Sequence, residues 1–549
     1  MPACGAGSLP RGLMVLAGPR QIASWLHELA DRIAFAGENP FKVRAYREAA
    51  RRLEMHAIDL SSREALEGTP GIGRKIADKI MRMAEGEMPP GLVRRRQVQP
   101  PELSWLLRLP GVGPSTARKL WAAGIGTVSG LADHLAAGEE LPGVTPAQRR
   151  QLLRAFAERR RGVPLPDLLA LTESLGRVVP GLVATGGVRR LDPLVERPRW
   201  LAPDSAESRR AWHELLPIVL EGAWTVAEDA LLFVPEQELG TALLWHTGPE
   251  SFLAEMGETL GHRGLRLDAA KLYDGERQVP CFAEDDVFER AGMIPIPPPL
   301  RGIAPRVRDA AVHTVRGDLH SHSSWSDGLA DIPAMARAAV ARGYAYLAVT
   351  DHSQGLKVAN GLTPERFRAQ RREIEELRTH LPEGFSLLQG CEVDIHADGS
   401  LDLPDDLLQE FDVVIASVHN HFDQSPAAAT ERLVRAIRHP LVTAIGHPGA
   451  RKLGERPPIA ADWQAVFDAA ASCGTALEIN ASPRRLDLDF RWLEGRNGAG
   501  LSFVIDSDAH STHELEYMPL GIAQAQKAGL RQDQVLNARP VDGLRRAHG

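Results

Sequence analysis

The sequence predicts a multidomain protein: an all-helical first third, a mixed α+β middle and a C-terminal barrel of alternating strands and helices. Three observations carry this reading. The chain has 549 residues, and at about 100–200 residues per domain it calls for three to four compact domains. Apolar residues recur at three- and four-residue steps through 21–162, as in Ile22, Trp25, Leu26, Leu29 and Ile33, which is the period of helices with one buried face. After Arg316, apolar runs of strand length alternate with helical segments at 332–342 and 366–379, the mark of a βα-repeating domain.

With 44% hydrophobic and 25% charged residues, the composition is that of a globular chain. The longest apolar runs fall far short of the ~20 residues a bilayer requires, which excludes a helical membrane protein. Cys4, Cys281, Cys391 and Cys473 lie far apart with no C-x-x-C pair, so neither a disulfide framework nor a cysteine zinc site is expected and a reducing cytoplasm fits. Residues 1–18 read as a disordered lead, because the apolar stretch after Arg11 is too brief for a secretory signal. The net charge of -7 hides an asymmetry. Residues 1–162 hold 25 Lys+Arg against 16 Asp+Glu, and 13 of the 19 histidines follow residue 312. Local basic charge suggests phosphate contacts at one end, and clustered His with Asp/Glu suggests metal at the other.

The helical third divides into 19–92 and 93–165. Pro89-Pro90 and Pro100-Pro101 bracket Arg94, Arg95 and Arg96, and the proline pairs predict a linker there. Residues 66–77 (LEGTPGIGRKIA) and 106–117 (LLRLPGVGPSTA) repeat one pattern. In each, two glycines form a tight turn between helices and leave bare backbone N–H groups facing an anion. They resemble helix-hairpin-helix motifs, which grip a DNA phosphate without reading sequence. Gly71, Gly73, Gly111 and Gly113 would carry the turns and Arg74, Lys75, Arg118 and Lys119 the counter-charge.

Residues 37–47 (GENPFKVRAYR) resemble the N-terminal lyase-type domain of family X DNA polymerases in their bacterial form. In the vertebrate repair member, a lysine just after the glycine hairpin forms a Schiff base with abasic sugar; the matching position is Lys79. The resemblance continues through 166–300. Residues 186–190 (GGVRR) look like the palm motif and 233–248 (FVPEQELGTALLWHTG) like the passage into the thumb. Such polymerases hold two Mg²⁺ with three palm aspartates. Aligned on these motifs, those positions fall on Arg197, Arg199 and Ala230, with Asp192 and Asp229 out of register. Two cations and a methyl repel a metal, so the palm is expected to be structural or a DNA-binding platform without polymerase activity. Ile294 to Leu300 (IPIPPPL) is read as an extended boundary before the last domain.

In 301–549, seven apolar runs end in residues able to bind metal or phosphate: 315–322, 347–352, 387–392, 413–419, 442–447, 476–480 and 503–510. Buried parallel strands read as continuous apolar runs, and in a βα barrel their C-terminal ends converge on one face. Alternation along a strand puts His320 and His322 on one side, and the same reasoning is applied to Asp508 and His510. This segment closely resembles the polymerase-and-histidinol-phosphatase (PHP) domain fused to bacterial family X polymerases, with 353–361 (SQGLKVANG) and 478–487 (EINASPRRLD) supporting the fused subtype. The resemblance implies a distorted (β/α)7 barrel binding three divalent ions through His320, His322, Asp327, His352, Glu392, His419, His447, Asp508 and His510. Mixed His and carboxylate ligation suits Mn²⁺, Zn²⁺ or Fe²⁺ better than Mg²⁺. Glu392 would bridge ions, with Asp508 and His510 alongside it at the catalytic centre, and no Ser or Cys nucleophile is needed. Lys357, Arg451 and Arg485 are candidate phosphate clamps.

The expected function is a cytoplasmic, metal-dependent DNA phosphodiesterase, a 3′–5′ exonuclease or 3′-end-processing repair enzyme on gapped, nicked or 3′-ended DNA, with abasic-site cleavage as an additional activity. A histidinol-phosphatase-like phosphomonoesterase and a non-catalytic DNA-binding scaffold are the alternatives.

Overall fold

The computed structural model describes residues 19–55, 58–159, 162–213, 228–308, 311–495 and 500–544. The expected disordered lead and Cys4 lie outside them. The chain forms two compact units, Met1–Phe156 and Ala157–Gly549. No helix among the described residues is long and apolar enough to cross a membrane.

The first unit is all helix. Helices α1 (Pro19–Phe35) and α2 (Pro40–Met55) bury Leu26, Ala30 and Ile33 against Ala49, Ala50 and Leu53. The first glycine hairpin joins α3 (Arg63–Glu67) to α4 (Arg74–Ala84), whose Leu66, Ile72, Ala77 and Ile80 complete the same core. The expected linker between the proline pairs is instead a helix, α5 (Pro90–Val98). Pro90 occupies the first turn, where its missing N–H costs nothing, and Leu92 is buried in the core. The second proline pair is pinned by the buried Arg32, whose guanidinium donates to Pro100 O and Pro101 O. A second core follows from α6 (Leu103–Leu107), α7 (Pro114–Ala122), α8 (Val128–Ala136) and α9 (Pro146–Arg159), closed by Leu106, Val112, Ala117, Leu131 and Leu152.

The second unit opens with α10 (Leu165–Gly176) and a small sheet in which β1 (Val183–Ala184) runs antiparallel to β2 (Trp200–Pro203) and β2 parallel to β3 (Leu231–Val234). Helices α11 (Leu239–Thr247) and α12 (Glu250–Gly261), the antiparallel meander β4 (Leu265–Asp268), β5 (Lys271–Asp274) and β6 (Arg277–Val279), and α13 (Glu284–Ala291) follow. Gly240 lets α11 approach closely, since a Cβ there would lie 2.0 Å from Ala283 O. The proline-rich 294–300 segment is not a free boundary. Its end turns into a short 3-10 helix (Pro298–Leu300), and Ile296 and Leu300 are buried with Phe252 and Phe288.

The remainder is a seven-stranded parallel sheet in sequence order: β7 (Gly317–Asp318), β8 (Tyr346–Val349), β9 (Ser386–Asp394), β10 (Val413–Ser417), β11 (Ala444–Gly446), β12 (Ala476–Asn480) and β13 (Phe503–Asp506). A parallel bridge between Ser321 and Ala509 joins the first strand to the last, so the sheet curls into a nearly closed barrel. Alternate residues fill its interior, among them Tyr346, Ala348, Val413, Ile415, Ala444, Ala476 and Val504. The intervening residues pack outward under α14 (Ile332–Ala341), α15 (Pro364–Arg378), α16 (Pro426–Ile437), α17 (Trp463–Cys473) and α18 (Met518–Lys527). Helices α14 and α15 match the two expected helical segments to within two residues at each end.

The small sheet is welded to the barrel. Leu486, from the loop after β12, is fully buried in the core of Leu165, Leu168, Val188, Trp200 and Leu231. Lys527 of α18 pairs with Asp192, and Gln524 donates to Leu191 O. Replacing Leu486 by Ala is expected to cost about 2–5 kcal/mol of stability. Urea unfolding measures it; a loss under about 1 kcal/mol would show that this core does not hold the loop.

Candidate active site

Strand parity decides which side chains enter the barrel. On β9, Leu388, Gly390 and Glu392 share the inner face, so Glu392 reaches the interior at the C-terminal mouth. It is fully buried, and imidazoles reach it from five directions: His320 Nε2 at 3.4 Å, His322 Nε2 at 3.6 Å, His352 Nδ1 at 2.8 Å, His419 Nε2 at 3.2 Å and His447 Nε2 at 3.0 Å. Asp508 Oδ1 lies 3.3 Å from His322 Nε2 and 3.7 Å from His320 Nε2. Asp327 Oδ1 lies 3.5 Å from His352 Nε2 and 3.6 Å from His510 Nε2. All nine residues expected to bind metal are therefore brought to one place.

Three groups of these donors could each hold an ion: His322, Asp327, His352 and His510; His320, His322 and Asp508; and His352, Glu392 and His419. His447 joins through Glu392. Both oxygens of Glu392, His320 Nε2, His322 Nδ1 and Nε2, His352 Nδ1 and both ring nitrogens of His447 are buried without a hydrogen-bond partner. Such atoms are costly unless something coordinates them, and the mixed imidazole and carboxylate set fits divalent ions. Burial disfavours charge on the rings of His320, His322, His419, His447 and His510. Glu392 and Asp394 nevertheless hold His419 up at about 9, and Asp327 and Asp508 hold His510 at about 10. With weaker compensation, burial drops His322 to about 3, helped by His510, and His447 to about 3, helped by Arg485.

The backbone departs from simple strand extension at two of these positions, His447 (φ 27°) and Asp508. His320 and His322 lie just past β7, still extended, with Ser321 turned away to donate to Ala348 O at 2.8 Å. Asp508 has φ 54°, so the alternation argument does not apply to Asp508 and His510. A left-handed turn, which Asp tolerates, puts both carboxylate and ring at the centre. Gly446 leaves the room: a Cβ there would lie 3.4 Å from His320 Cε1 and 2.3 Å from Ser417 Oγ.

A second layer holds the rings. His320 Nδ1 bonds Glu478 Oε1 at 2.7 Å, while the other Glu478 oxygen accepts from His447 N and Asn480 Nδ2. His419 Nδ1 meets Asp394 Oδ1 at 2.5 Å, and Asp351 accepts from Ser323, Ser326 and Gln370. Sequence reasoning named none of these acids as orienting groups. The usable signal was parity: Glu478 and Asn480 share the inner face with Ala476 on a strand otherwise apolar.

The candidate clamps separate. Arg485 Nε lies 3.2 Å from Asp508 Oδ2, and its buried Nη1 has no partner. Arg451 is spent elsewhere, on Asp489 at 2.7 Å and the carbonyls of Arg485 and Leu486, so it braces the Arg485 loop instead of meeting a phosphate. Lys357 is exposed on a short turn.

At the hairpins, Gly71 (φ 89°) and Gly111 (φ 78°) make left-handed turns, and Gly73 and Gly113 are the N-caps of α4 and α7 with no side-chain cap. A Cβ at Gly73 or Gly113 would meet nothing within 4 Å, so both helix ends face open space. Arg74, Lys75 and Lys119 are exposed. Arg118 is not a free counter-charge: its guanidinium donates to Phe35 O at 2.7 Å and Ala34 O at 3.3 Å, capping α1. Lys79 donates to Tyr46 Oη and lines a cavity of about 190 Å³ with Lys42, Arg82 and Arg95.

Two of the three aligned palm positions are neighbours across the small sheet. Trp200 pairs with Leu231, which sets the preceding Arg199 and Ala230 side by side, and Arg197 is exposed. Of the nearby acids, Asp192 holds Lys527 and Arg190, while the exposed Asp229 lies 3.8 Å from Arg199. Among the described residues, groups able to hold a metal lie in the barrel alone.

The sequence matches the helix-hairpin-helix domain family over residues 18–87, the SAM-like helix-hairpin-helix tandem over 104–158, the DNA polymerase beta thumb over 242–302 and the PHP domain over 318–482. It is 32% identical over 558 aligned residues to the DNA polymerase/3'-5' exonuclease PolX of Bacillus subtilis, covering 95% of this chain and 98% of that protein. The chain belongs to the PolX family. Its last part alone is 30% identical to a probable phosphatase of Thermoanaerobacter sp., covering 40% of this chain and 89% of that protein. A probable phosphatase of Syntrophotalea carbinolica is 33% identical over 30% of this chain and 65% of its own length.

Within this PolX-family chain the Glu478 carboxylate is the test of the orienting layer. Glu478→Gln is expected to weaken metal binding about 10–100-fold, because one amide oxygen cannot serve both the His320 ring and the His447 N–H. Metal titration followed by elemental analysis measures it. Unchanged affinity would show that His320 needs no such partner. At the other unit, Gly73→Glu with Gly113→Glu should weaken duplex DNA binding and flatten its salt dependence, because a carboxylate then faces the phosphate. Fluorescence anisotropy across a salt series reports both.

Proposed function

We propose that the chain is a cytoplasmic, metal-dependent DNA phosphodiesterase that processes 3′ ends as a 3′–5′ exonuclease in repair and lacks polymerase activity. The observation that supports this above all is the buried Glu392 carboxylate ringed by five imidazoles with its oxygens unpaired. The nine donors would hold three divalent ions, Mn²⁺, Zn²⁺ or Fe²⁺, with Glu392 bridging. When bound, such ions polarise phosphoryl oxygens and activate water. The protein supplies the rest. Glu478, Asp394 and Asp508 orient and charge the rings, Arg485 keeps a buried, unpaired N–H beside Asp508, and the glycine hairpins hold the DNA. The Lys79 amine, held by Tyr46, is the candidate for abasic-site cleavage.

The palm supports no polymerase reading, since its three aligned positions carry Arg197, Arg199 and Ala230 and the neighbouring Asp192 is paired with Lys527. A second reading, phosphomonoesterase chemistry, is favoured by the likeness of the barrel to probable phosphatases. The test is purified protein with Mn²⁺ on 3′-labelled single- and double-stranded DNA beside His320→Ala and Asp508→Ala. Mononucleotide release that falls at least ~10³-fold in both variants supports the site, because each would remove a ligand of the reacting centre. Release that persists in both sinks the assignment, hydrolysis confined to a small monoester favours the second reading, and efficient primer extension refutes the inactive palm.

A further inference from the structure

Two loops at the mouth of the barrel lie side by side, one following β11 and one following β12. Leu453 N donates to Arg484 O at 2.8 Å, and Lys452 N donates to Arg456 O at 2.9 Å across the first loop's own turn. The pairing gathers Lys452, Arg456 and Arg484 around Arg485, whose Nε is 3.2 Å from Asp508. None of Lys452, Arg456 and Arg484 makes an ion pair with a described carboxylate. The arrangement is held in place from below. Arg451 bonds the carbonyls of Arg485 and Leu486, Leu486 is fully buried, and the Arg456 guanidinium rests 3.6 Å from the centre of the Phe422 ring while its Nε donates to Ala450 O at 2.8 Å. Like charges fixed together repel, and burial followed by Arg485 pulls Arg456 down to about 10 and Lys452 below its ordinary value, against the opposing pull of Glu455. A site of this kind is stabilised by an anion of matching extent.

We propose that these four cations form a shelf that takes the non-scissile phosphates of a nucleic-acid strand, so that the centre selects a polyanionic chain over a lone phosphate ester. This deepens the phosphodiesterase reading and rests on it. Arg485 would meet the phosphate next to the ions, and Lys452, Arg456 and Arg484 the neighbouring ones. One lone cation would suffice for a monoester; three further cations without an ion pair around an Arg485 that already meets Asp508 point to a ligand carrying several charges.

The test uses the full chain with Mn²⁺ and three substrates: bis(p-nitrophenyl) phosphate, a thymidine dinucleotide and a thymidine tetranucleotide. In the unaltered protein, kcat/KM should rise about tenfold or more from the dinucleotide to the tetranucleotide and fall with salt, as contacts to successive phosphates require, while bis(p-nitrophenyl) phosphate, with its better leaving group, reports the metal centre alone. Lys452→Gln with Arg484→Gln should shrink that rise to under about threefold and cut the salt slope by roughly 0.7 per lost contact. Arg484→Gln alone, at an exposed side chain, should move both in the same direction with the fold intact by circular dichroism. An unchanged rise and slope in the variants would overturn the shelf, as would equal loss on all three substrates. Calorimetric titration of the tetranucleotide needs no turnover. If the protein hydrolyses nothing, the phosphodiesterase reading fails, while tighter binding to the unaltered chain than to the variants still supports the shelf and equal binding refutes it.

Discussion

One carboxylate organises the second unit. Glu392 is wholly buried, lies within 3.6 Å of five histidine rings, and neither of its oxygens has a hydrogen bond. A carboxylate in that position would be expelled or neutralised by burial alone, yet the surrounding rings hold its pKa well below the usual range. The rings come from loops after β7, β8, β10 and β11, and they can meet at a single height only if the strands are parallel and close on themselves. Barrel closure and the polar centre are thus one constraint seen from two sides. The Ser321 to Ala509 bridge that closes the sheet lies between His320 and His322 on one strand and between Asp508 and His510 on the other.

Holding so many polar groups in place takes a further tier of acids. Glu478 fixes His320 and the backbone of His447, Asp394 fixes His419, and Asp318 and Asp506 accept backbone N–H groups beneath them. Burial raises Asp318 to about 6 and lifts Asp506 further, with Asp318 adding to the effect. Part of the acidity of the larger unit is therefore internal to the site. The net charge of -7 says little about the surface that meets a substrate.

Much of this was legible in the residue pattern. Seven apolar runs with polar ends gave seven strands in order, and the nine donors are at one centre because strand ends in a parallel barrel must converge. Three things were not legible. The Asp508 turn is left-handed, and nothing in the FVIDSDAH run marks where extension stops. The 90–98 segment is a helix despite two flanking proline pairs, because a proline in the first turn is tolerated and burial of Leu92 outweighs weak propensity. Arg118 belongs to the capping of α1, a contact 83 residues away in sequence that no local pattern reveals. Local signals specify elements, and long-range pairings decide which cations are left for a ligand.

On the reading proposed above, the palm has no chemistry of its own, yet its core is intact, and the contacts explain why. Trp200, Leu231 and their neighbours form the socket for Leu486, the residue that follows Arg485. Asp192, one of the acids nearest the vacated positions, holds the almost fully buried Lys527 of α18, and removing one partner of such a pair leaves a buried charge at a cost of about 3–5 kcal/mol. Arg189 and Arg301 likewise converge on the buried Glu284 and tie the palm to the helices that follow. A palm that lost this packing would release the loop carrying Arg485 at the edge of the nine-residue centre. Selection on the barrel is then enough to preserve the small sheet, because the same side chains that fill its core set the position of a cation 3.2 Å from Asp508.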